Sequence, residues 1–222
     1  MATLETLIQR MKDRGILQTP ALEEAFRQVD RCSYVPEHLR AQCYADHPLA
    51  IGVGQTISQP STVAFMLEML QVEPGNRILD VGSGSCWTTA LLACLTGEEG
   101  RVIALERIGA LADFGRRNLA KSHWPHAVVH HANGWHGWEA EAPYHRILVS
   151  AAAPQVPEAL IRQLMPEGIL VMPLSDWRGN MLKLIRNKDG TLTRETQGGF
   201  AFVPFVETGE TGESDENNQQ TL

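Results

Sequence analysis

Several features are missing from this chain of 222 residues, and each absence argues against a class of protein. No uninterrupted stretch of about 18 apolar residues occurs, so a membrane-spanning helix is not expected. No charged segment followed by an apolar one opens the chain, so a signal peptide is not predicted. The four cysteines form no C-x-x-C pair and no regular framework. These absences predict a reduced, cytoplasmic protein that does not bind membranes.

An excess of basic charge is also missing. The formal net charge is −7, which argues against nucleic acid as a partner. After Val206 the chain carries acidic residues and no Lys or Arg, namely Glu207, Glu210, Glu213, Asp215 and Glu216. Because this tail lacks an apolar cluster to bury, we predict that residues 207–222 are disordered.

The rest of the chain alternates short apolar runs with amphipathic segments, which predicts an α/β fold with a mostly parallel, doubly wound sheet. Five strands are expected at residues 77–81, 101–105, 127–130, 146–150 and 168–173. Two late strands, residues 180–186 and 193–205, are expected to form an edge hairpin. Two helices begin the chain. We therefore divide it into an N-terminal helical cap (residues 1–60), a core (61–206) and the acidic tail.

Residues 77–87, RILDVGSGSCW, carry the strongest functional signal. A buried strand runs into the turn Gly82-Ser83-Gly84, and a helix follows. Glycines allow a ligand close to the backbone, and a helix N-terminus offers unpaired N–H groups. Glu106 follows the next strand, where an α/β sheet holds the ribose hydroxyls of an adenosine.

The glycine pattern separates two kinds of adenosine ligand. A dinucleotide fold would place a third glycine where Trp87 stands, which argues against NAD and FAD. A tight Gly-x-Gly corner after an acidic residue, here Asp80, resembles the S-adenosylmethionine-dependent methyltransferases. A glycine turn in an ordinary α/β protein is the structural alternative.

A second segment of interest is rich in hydroxyl groups. Thr56, Ser58 and Ser61 surround Pro60 at the start of a predicted helix. Ser and Thr are common N-cap residues, so capping explains them without any function. Hydroxyls and free N–H groups at a helix start can also bind an anion. Both interpretations stay open at this point.

Two other groups of residues suggest functions that we do not favour. Five histidines at positions 123, 126, 130, 131 and 136 lack a fixed ligand spacing, so we expect a polar surface loop and no metal site. Trp135 and Trp138 could stack a base, but tryptophan is commonly a packing residue. No Gly-x-Ser-x-Gly motif of a hydrolase is present.

Over residues 22–205 the chain resembles the protein-L-isoaspartate O-methyltransferases. The matching motifs are DHPLAIGVGQTISQP (46–60), RILDVGSGS (77–85), ALERI (104–108), NGWHGW (133–138), APYHRILVSAAAP (142–154) and FVPF (202–205). The first of these is specific to that family. The resemblance implies transfer of a methyl group from S-adenosyl-L-methionine to the α-carboxylate of isoaspartyl residues in damaged proteins and peptides. The ester then collapses to a succinimide that hydrolyses partly to normal aspartate.

The resemblance also implies roles for particular residues. Ser58 falls on the family's active-site serine. The cofactor contacts fall on Thr56, Asp80, Gly82, Ser83, Gly84, Ser85, Glu106, Asn133 and Gly134. Because a carboxylate is already ionised at neutral pH, Ser58 is better assigned as an orienting hydrogen-bond donor than as a nucleophile. We expect a monomer.

Three positions depart from the family pattern. Cys86 replaces a glycine, Asn133 replaces an aspartate in Gly-Asp-Gly, and His145 replaces the aspartate of Pro-Tyr-Asp. These departures support two alternatives: an S-adenosylmethionine-binding relative without catalytic activity, or a methyltransferase for a different carboxylate acceptor.

Overall fold

The computed structural model describes residues 3–121 and 124–207. The α-helices of the described residues are α1 (Leu4–Asp13), α2 (Pro20–Gln28), α3 (Pro60–Leu70), α4 (Trp87–Thr96), α5 (Gly109–Lys121) and α6 (Glu158–Gln163). The strands are β1 (Leu49–Gly52), β2 (Gln55–Ile57), β3 (Arg77–Val81), β4 (Arg101–Glu106), β5 (Ala127–His131), β6 (Tyr144–Val149), β7 (Leu164–Pro173), β8 (Met181–Arg186) and β9 (Leu192–Gln197). None of the helices in these two ranges is long and apolar enough to cross a membrane.

Seven of the strands form one sheet in the order β5-β4-β3-β6-β7-β8-β9. The first five run parallel, and β8 and β9 add an antiparallel hairpin at one edge. The chain builds outward from β3 through β4 to β5, then crosses back to place β6 on the other side of β3. Ligands bind beside such a switch point, at the carboxyl ends of the strands. The predicted fold class is confirmed.

The central strands are apolar because helices cover both faces of the sheet. Ile78, Leu79, Ile103 and Leu148 are fully buried. The edge strand β9 is exposed along its whole length, and it ends at Gln197. The predicted strand 193–205 is therefore too long. Gly198 and Gly199 follow β9, and the φ of 106° at Gly199 is a left-handed conformation that favours glycine and turns the chain away from β8.

Residues 198–207, which we call the C-terminal strap, return across the carboxyl ends of the parallel strands. Ala152 donates a hydrogen bond to the Val203 carbonyl (2.8 Å), and Phe205 donates to the Ala152 carbonyl (2.7 Å). The strap thus forms a short parallel bridge just beyond β6. The acidic tail that was predicted to be disordered falls mainly on residues 208–222, which lie outside the described residues.

The N-terminal helices bury their apolar faces in the same hydrophobic core as the sheet. Leu7 of α1 and Phe26 of α2 belong to the cluster that contains Ile78 of β3. The rings of Phe26 and Trp87 pack edge to face at a centroid distance of 5.5 Å, and the Trp87 indole donates to the Val29 carbonyl (3.1 Å). Trp87, which stands where a dinucleotide fold needs glycine, therefore anchors the cap helices to the core. The division at residue 60 stays a prediction.

The segment 32–50, which follows the two cap helices, contains short 3-10 helices and the start of β1. Its chain reversal brings the Cα atoms of Cys32 and Cys43 to 5.0 Å, and their sulfurs form a disulfide. The prediction of a fully reduced protein is wrong for this pair. The spacing of 11 residues gave no signal because the loop geometry, and not a sequence motif, brings the two side chains together. Cys86 and Cys94 are free.

Candidate active site

The carboxyl ends of β3, β4 and β6 meet at the glycine turn. The amides of Gly82 and Ser83 both donate to the carbonyl of Leu105, at 2.9 and 3.1 Å, and the amide of Ser150 donates to the Val81 carbonyl at 2.9 Å. Gly82 has a φ of 80°, a conformation that L side chains rarely adopt. These bonds fix the turn relative to both neighbouring strands, so the turn is a rigid platform for a ligand.

Glu106 is held by two backbone groups at the floor of the same cleft. One carboxylate oxygen accepts from the Gly84 amide (3.0 Å) and the other accepts from the Ile108 amide (2.9 Å). The residue is only 6% exposed. Each oxygen retains a further lone pair, so an oriented carboxylate remains able to accept hydrogen bonds from ligand hydroxyl groups.

The Ser58 segment reaches the glycine turn through the hairpin β1–β2, which sequence reasoning did not predict. Val53 at its tip has a φ of 49° between two glycines that also have positive φ. The side chain of Ile51 in β1 lies so close to Gly84 that an added Cβ would sit 3.1 Å from its Cδ1. The hairpin therefore brings the residues after it to the cleft.

The capping interpretation of the hydroxyl-rich segment is wrong. The N-cap of α3 is Gln59, which makes no side-chain capping bond. The Asp46 carboxylate instead accepts from the amide of Ser61 at 2.9 Å and so satisfies the helix start from a distant part of the chain. Thr56 and Ser58 both line the cleft.

Asn133 follows β5 and connects it to the strap. Its side-chain oxygen accepts from the Trp135 amide (3.0 Å), a bond that an aspartate would also make. Its amide nitrogen donates to the carbonyls of Val206 (3.3 Å) and Glu207 (3.1 Å). A carboxylate has no hydrogen to donate, so this replacement adds two bonds that hold the strap over the cleft.

The residues that line the cleft come from several separate parts of the chain. Those predicted from the sequence are Thr56, Ser58, Gly82, Ser83, Gly84, Ser85, Glu106, Asn133 and Gly134. Those that sequence reasoning did not assign to the site include Ile51, Gln55, Arg107, Leu111, Val203, Pro204, Phe205 and Val206. The motif FVPF was a signal for the strap, but it was interpreted as part of a strand.

Asp80 does not line the cleft, although we expected it to contact the cofactor. It is fully buried beneath the glycine turn, where Thr89 donates a 2.6 Å hydrogen bond to one carboxylate oxygen. The other oxygen has no partner among the described residues. Burial raises the pKa of Asp80 to about 7, and the nearby charge of Glu106 acts in the same direction.

Cys86 is accommodated by a glycine on the facing helix. It adopts a left-handed conformation with a φ of 64°, and its side chain is fully buried. A Cβ at Gly115 of α5 would overlap the Cys86 sulfur, so Gly115 leaves the room that the thiol occupies. Burial raises the pKa of Cys86 to about 12, which keeps the thiol protonated and unreactive at neutral pH.

His145 lies at the opposite end of the sheet from the cleft. Its Nδ1 atom accepts from the Arg77 amide at 2.9 Å, where β3 begins. Its replacement of aspartate therefore changes a strand contact and no cleft residue.

The described histidines of the predicted surface loop make separate contacts: His126 with the Ala93 carbonyl, His130 stacked on Trp138, and His131 with the Arg107 carbonyl. His123 lies outside the described residues.

Comparison with known proteins gives consistent matches. A sequence model of the family described as protein-L-isoaspartate(D-aspartate) O-methyltransferase matches residues 2–210. The protein-L-isoaspartate O-methyltransferase of Methanopyrus kandleri is 46% identical over 204 residues, which are 91% of this chain and 90% of that protein. The relative of the same name in Trichlorobacter lovleyi is 43% identical over 199 residues, 89% of this chain and 90% of the relative.

A solved structure gives the same result. It is a protein-L-isoaspartate O-methyltransferase from Plasmodium falciparum in complex with S-adenosyl-L-homocysteine. It aligns with a TM-score of 0.82 and 28% identity, over 91% of this chain and 98% of that chain.

The buried carboxyl of Asp80 predicts a specific dependence of stability on pH. Because its pKa in the folded protein (about 7) is above its ordinary value of 3.8, the folded chain binds more protons between these pH values. The free energy of unfolding, relative to that of an Asp80→Asn variant, should therefore fall as pH rises from about 4 to 7, by roughly 4 kcal/mol at most. Urea unfolding of both proteins across this range measures the difference. A difference that stays flat would contradict the raised pKa.

The contact between Cys86 and Gly115 predicts a coupled pair of substitutions. Gly115→Ala should lower the free energy of unfolding by about 1–3 kcal/mol through overpacking, although alanine favours helix. Adding Cys86→Gly should recover part of this loss, because the overlapping sulfur is gone while the Gly84 carbonyl oxygen, 3.0 Å from the added Cβ, remains. A double-mutant cycle by thermal denaturation tests the coupling. Losses that simply add would show that the sulfur does not occupy this space.

Proposed function

Because this chain belongs to the protein-L-isoaspartate O-methyltransferase family, we propose that it methylates the α-carboxylate of L-isoaspartyl residues in damaged proteins and peptides. The methyl donor is S-adenosyl-L-methionine. The observation that carries the proposal is the meeting of Ser58, the glycine turn and Glu106 in one cleft. The monomeric state and the cytoplasmic location stay predictions.

The cleft has features that suit an adenosine ligand. The backbone at Gly82 and Gly84 has no Cβ to block close approach, and the Glu106 carboxylate faces the same space. The Ser83 side chain also lines the cleft, and a hydroxyl can both donate and accept hydrogen bonds to a ligand.

The chemistry requires position more than proton transfer. The bound donor supplies an electrophilic methyl group on a positively charged sulfur. The acceptor carboxylate is already ionised at neutral pH, so no general base is needed. This chain's residues then have to align one carboxylate oxygen with the methyl group and exclude water, and alignment of this kind accounts for several kcal/mol of a reaction barrier.

Ser58 is suited to orient the acceptor. Its hydroxyl can donate one hydrogen bond to a carboxylate oxygen, which leaves the second oxygen free to face the methyl group. Apolar side chains of the strap, Val203, Pro204 and Phe205, and Ile51 of the hairpin line the same cleft. They supply the dry surroundings that strengthen such a bond.

The departures from the family pattern favour the repair function over the two alternatives. Cys86 fits against Gly115, Asn133 keeps one bond and adds two, and His145 lies at the far end of the sheet. None of the three puts a side chain where it would block the glycine turn.

The proposal is tested by methyl transfer from labelled S-adenosyl-L-methionine to an isoaspartyl peptide and to its aspartyl twin. We expect base-labile label on the isoaspartyl peptide alone. No label on either peptide, with cofactor binding intact by calorimetry, would support the non-catalytic relative. Label on a different carboxylate compound would support the altered acceptor. Either of these results would contradict the proposal.

Ser58→Ala should lower kcat/KM for the isoaspartyl peptide by roughly 10- to 100-fold, the usual effect of a lost hydrogen bond to a charged group. The dissociation constant for S-adenosyl-L-homocysteine should change by less than about twofold. The matched control is Ser61→Ala, because Ser61 is a buried serine three residues later that does not line the cleft. Equal kinetic effects in both variants would return Ser58 to a structural role.

Glu106→Gln should weaken binding of S-adenosyl-L-homocysteine by roughly 10- to 100-fold. Both carboxylate oxygens accept from backbone amides, so a glutamine must point its NH₂ group at one of these donors. Calorimetry measures the affinity, with Glu73→Gln as a control because the Glu73 side chain is 73% exposed. Unchanged affinity would rule out Glu106 as a cofactor contact.

A further inference from the structure

Arg31 is a buried cation to which the proposed reaction assigns no role. It lies just after α2, in the 3-10 helix Arg31–Tyr34, and is 1% exposed. Among the described residues no other lysine or arginine is as deeply buried. It does not line the cleft. A charge is rarely buried this far unless its hydrogen-bonding groups are satisfied.

The two terminal nitrogens of Arg31 bond to the backbone of the segment that leads to the active-site serine, whereas its Nε atom has no partner among the described residues. Its two terminal nitrogens donate to a set of carbonyls, at Cys43 (2.8 Å), Ala45 (3.3 Å), His47 (3.2 Å), Ile57 (3.5 Å) and Ser58 (3.0 Å). One side chain therefore joins both ends of residues 43–58. The hairpin β1–β2 lies between these ends.

The guanidinium also lies over a residue from the other half of the site. Its central carbon lies 5.4 Å from the ring centroid of Trp87, the first residue of α4. Trp87 also lines the cleft, and its indole is bonded to the Val29 carbonyl near the end of α2. Arg31 thus contacts both the Ser58 segment, through its terminal nitrogens, and Trp87, which follows the glycine turn.

Arginine is suited to this position in a way that lysine is not. The guanidinium is planar and presents donors in a fixed fork, so it can bond several carbonyls in one plane while its face stacks on an aromatic ring. An ammonium has three donors around a point and no stacking face. Burial lowers the pKa of Arg31 to about 10, which leaves it protonated at neutral pH, and the charge of Asp46 opposes the shift.

We propose that Arg31 is a positioning residue for methyl transfer: its guanidinium holds the backbone of Ser58 at a fixed position relative to the glycine turn. This inference rests on the proposed role of Ser58 in the reaction. Arg31 acts through Ser58 and touches neither the acceptor nor the donor. Its loss should therefore affect the peptide reaction much more than cofactor binding.

The first test is Arg31→Lys, which keeps the positive charge but removes the planar set of guanidinium donors. We expect kcat/KM for an isoaspartyl peptide to fall by at least ~10-fold, while the dissociation constant for S-adenosyl-L-homocysteine changes by less than ~2-fold. Arg146→Lys is the matched control. Arg146 is also a buried arginine that donates to carbonyls, those of Gln71 (2.8 Å) and His145 (3.0 Å), but it lies away from the cleft. Equal losses in both variants would overturn the proposal.

A double-mutant cycle with Ser58→Ala separates positioning from a general structural role. If Arg31 acts through the Ser58 hydroxyl, Arg31→Lys should cost less than ~3-fold in kcat/KM once that hydroxyl is absent. A structural residue would lower the activity of both backgrounds by the same factor. Equal factors would therefore contradict the proposal.

Hydrogen exchange gives a readout that requires neither catalysis nor a variant. In the unsubstituted protein, the amides of β2 that pair with β1 should be protected to within ~10-fold of those of α2, because Arg31 bonds to the carbonyls of Ile57 and Ser58 and so restrains opening of this hairpin. Much weaker protection of these β2 amides would overturn the link even if Arg31→Lys did not fold. If the unsubstituted protein shows this protection but does not methylate the peptide, the proposed function is contradicted. The link between Arg31 and the Ser58 segment would then still stand.

Discussion

The hydrogen bonds that the Leu105 carbonyl accepts are the constraint on which the rest of the site depends. This carbonyl accepts the amides of Gly82 and Ser83, and so locks the turn after β3 to the last residues of β4. Glu106 comes next in the chain, and its carboxylate accepts the amide of Gly84. Three consecutive amides of the turn are thereby bonded to two consecutive residues of the neighbouring strand. The cleft, the helix that starts at Trp87 and the hairpin that packs on Gly84 all depend on this fixed turn.

The local part of this arrangement could be predicted from the sequence. Strands β3 to β7 follow from apolar runs, and the glycine turn and Glu106 follow from their places at strand ends. The rest depends on contacts between distant residues, which leave little periodic signal. The hairpin β1–β2, the disulfide of Cys32 with Cys43, and the path of the strap beyond Gly199 are of this kind. Asp46 caps α3 in place of the local hydroxyl cap that was one of the two interpretations of this segment.

The departures from the family pattern illustrate the same difference. In the sequence alone, Cys86 and Asn133 look like the loss of two family residues at the proposed cofactor site. In three dimensions Gly115 leaves space for the Cys86 sulfur, and Asn133 donates to the strap with a group that aspartate lacks. Each substitution is explained by a residue far away in the sequence. A motif therefore predicts where a site lies more reliably than it predicts how each residue is accommodated.

The central claim is that Ser58 orients the acceptor carboxylate above the glycine turn. A crystal structure with S-adenosyl-L-homocysteine and an isoaspartyl peptide tests it most directly. We expect the peptide α-carboxylate to lie within hydrogen-bonding distance of the Ser58 hydroxyl, roughly 2.6–3.2 Å, with one oxygen facing the donor sulfur. A carboxylate bound away from Ser58, with the ligand ribose away from Glu106, would contradict the account.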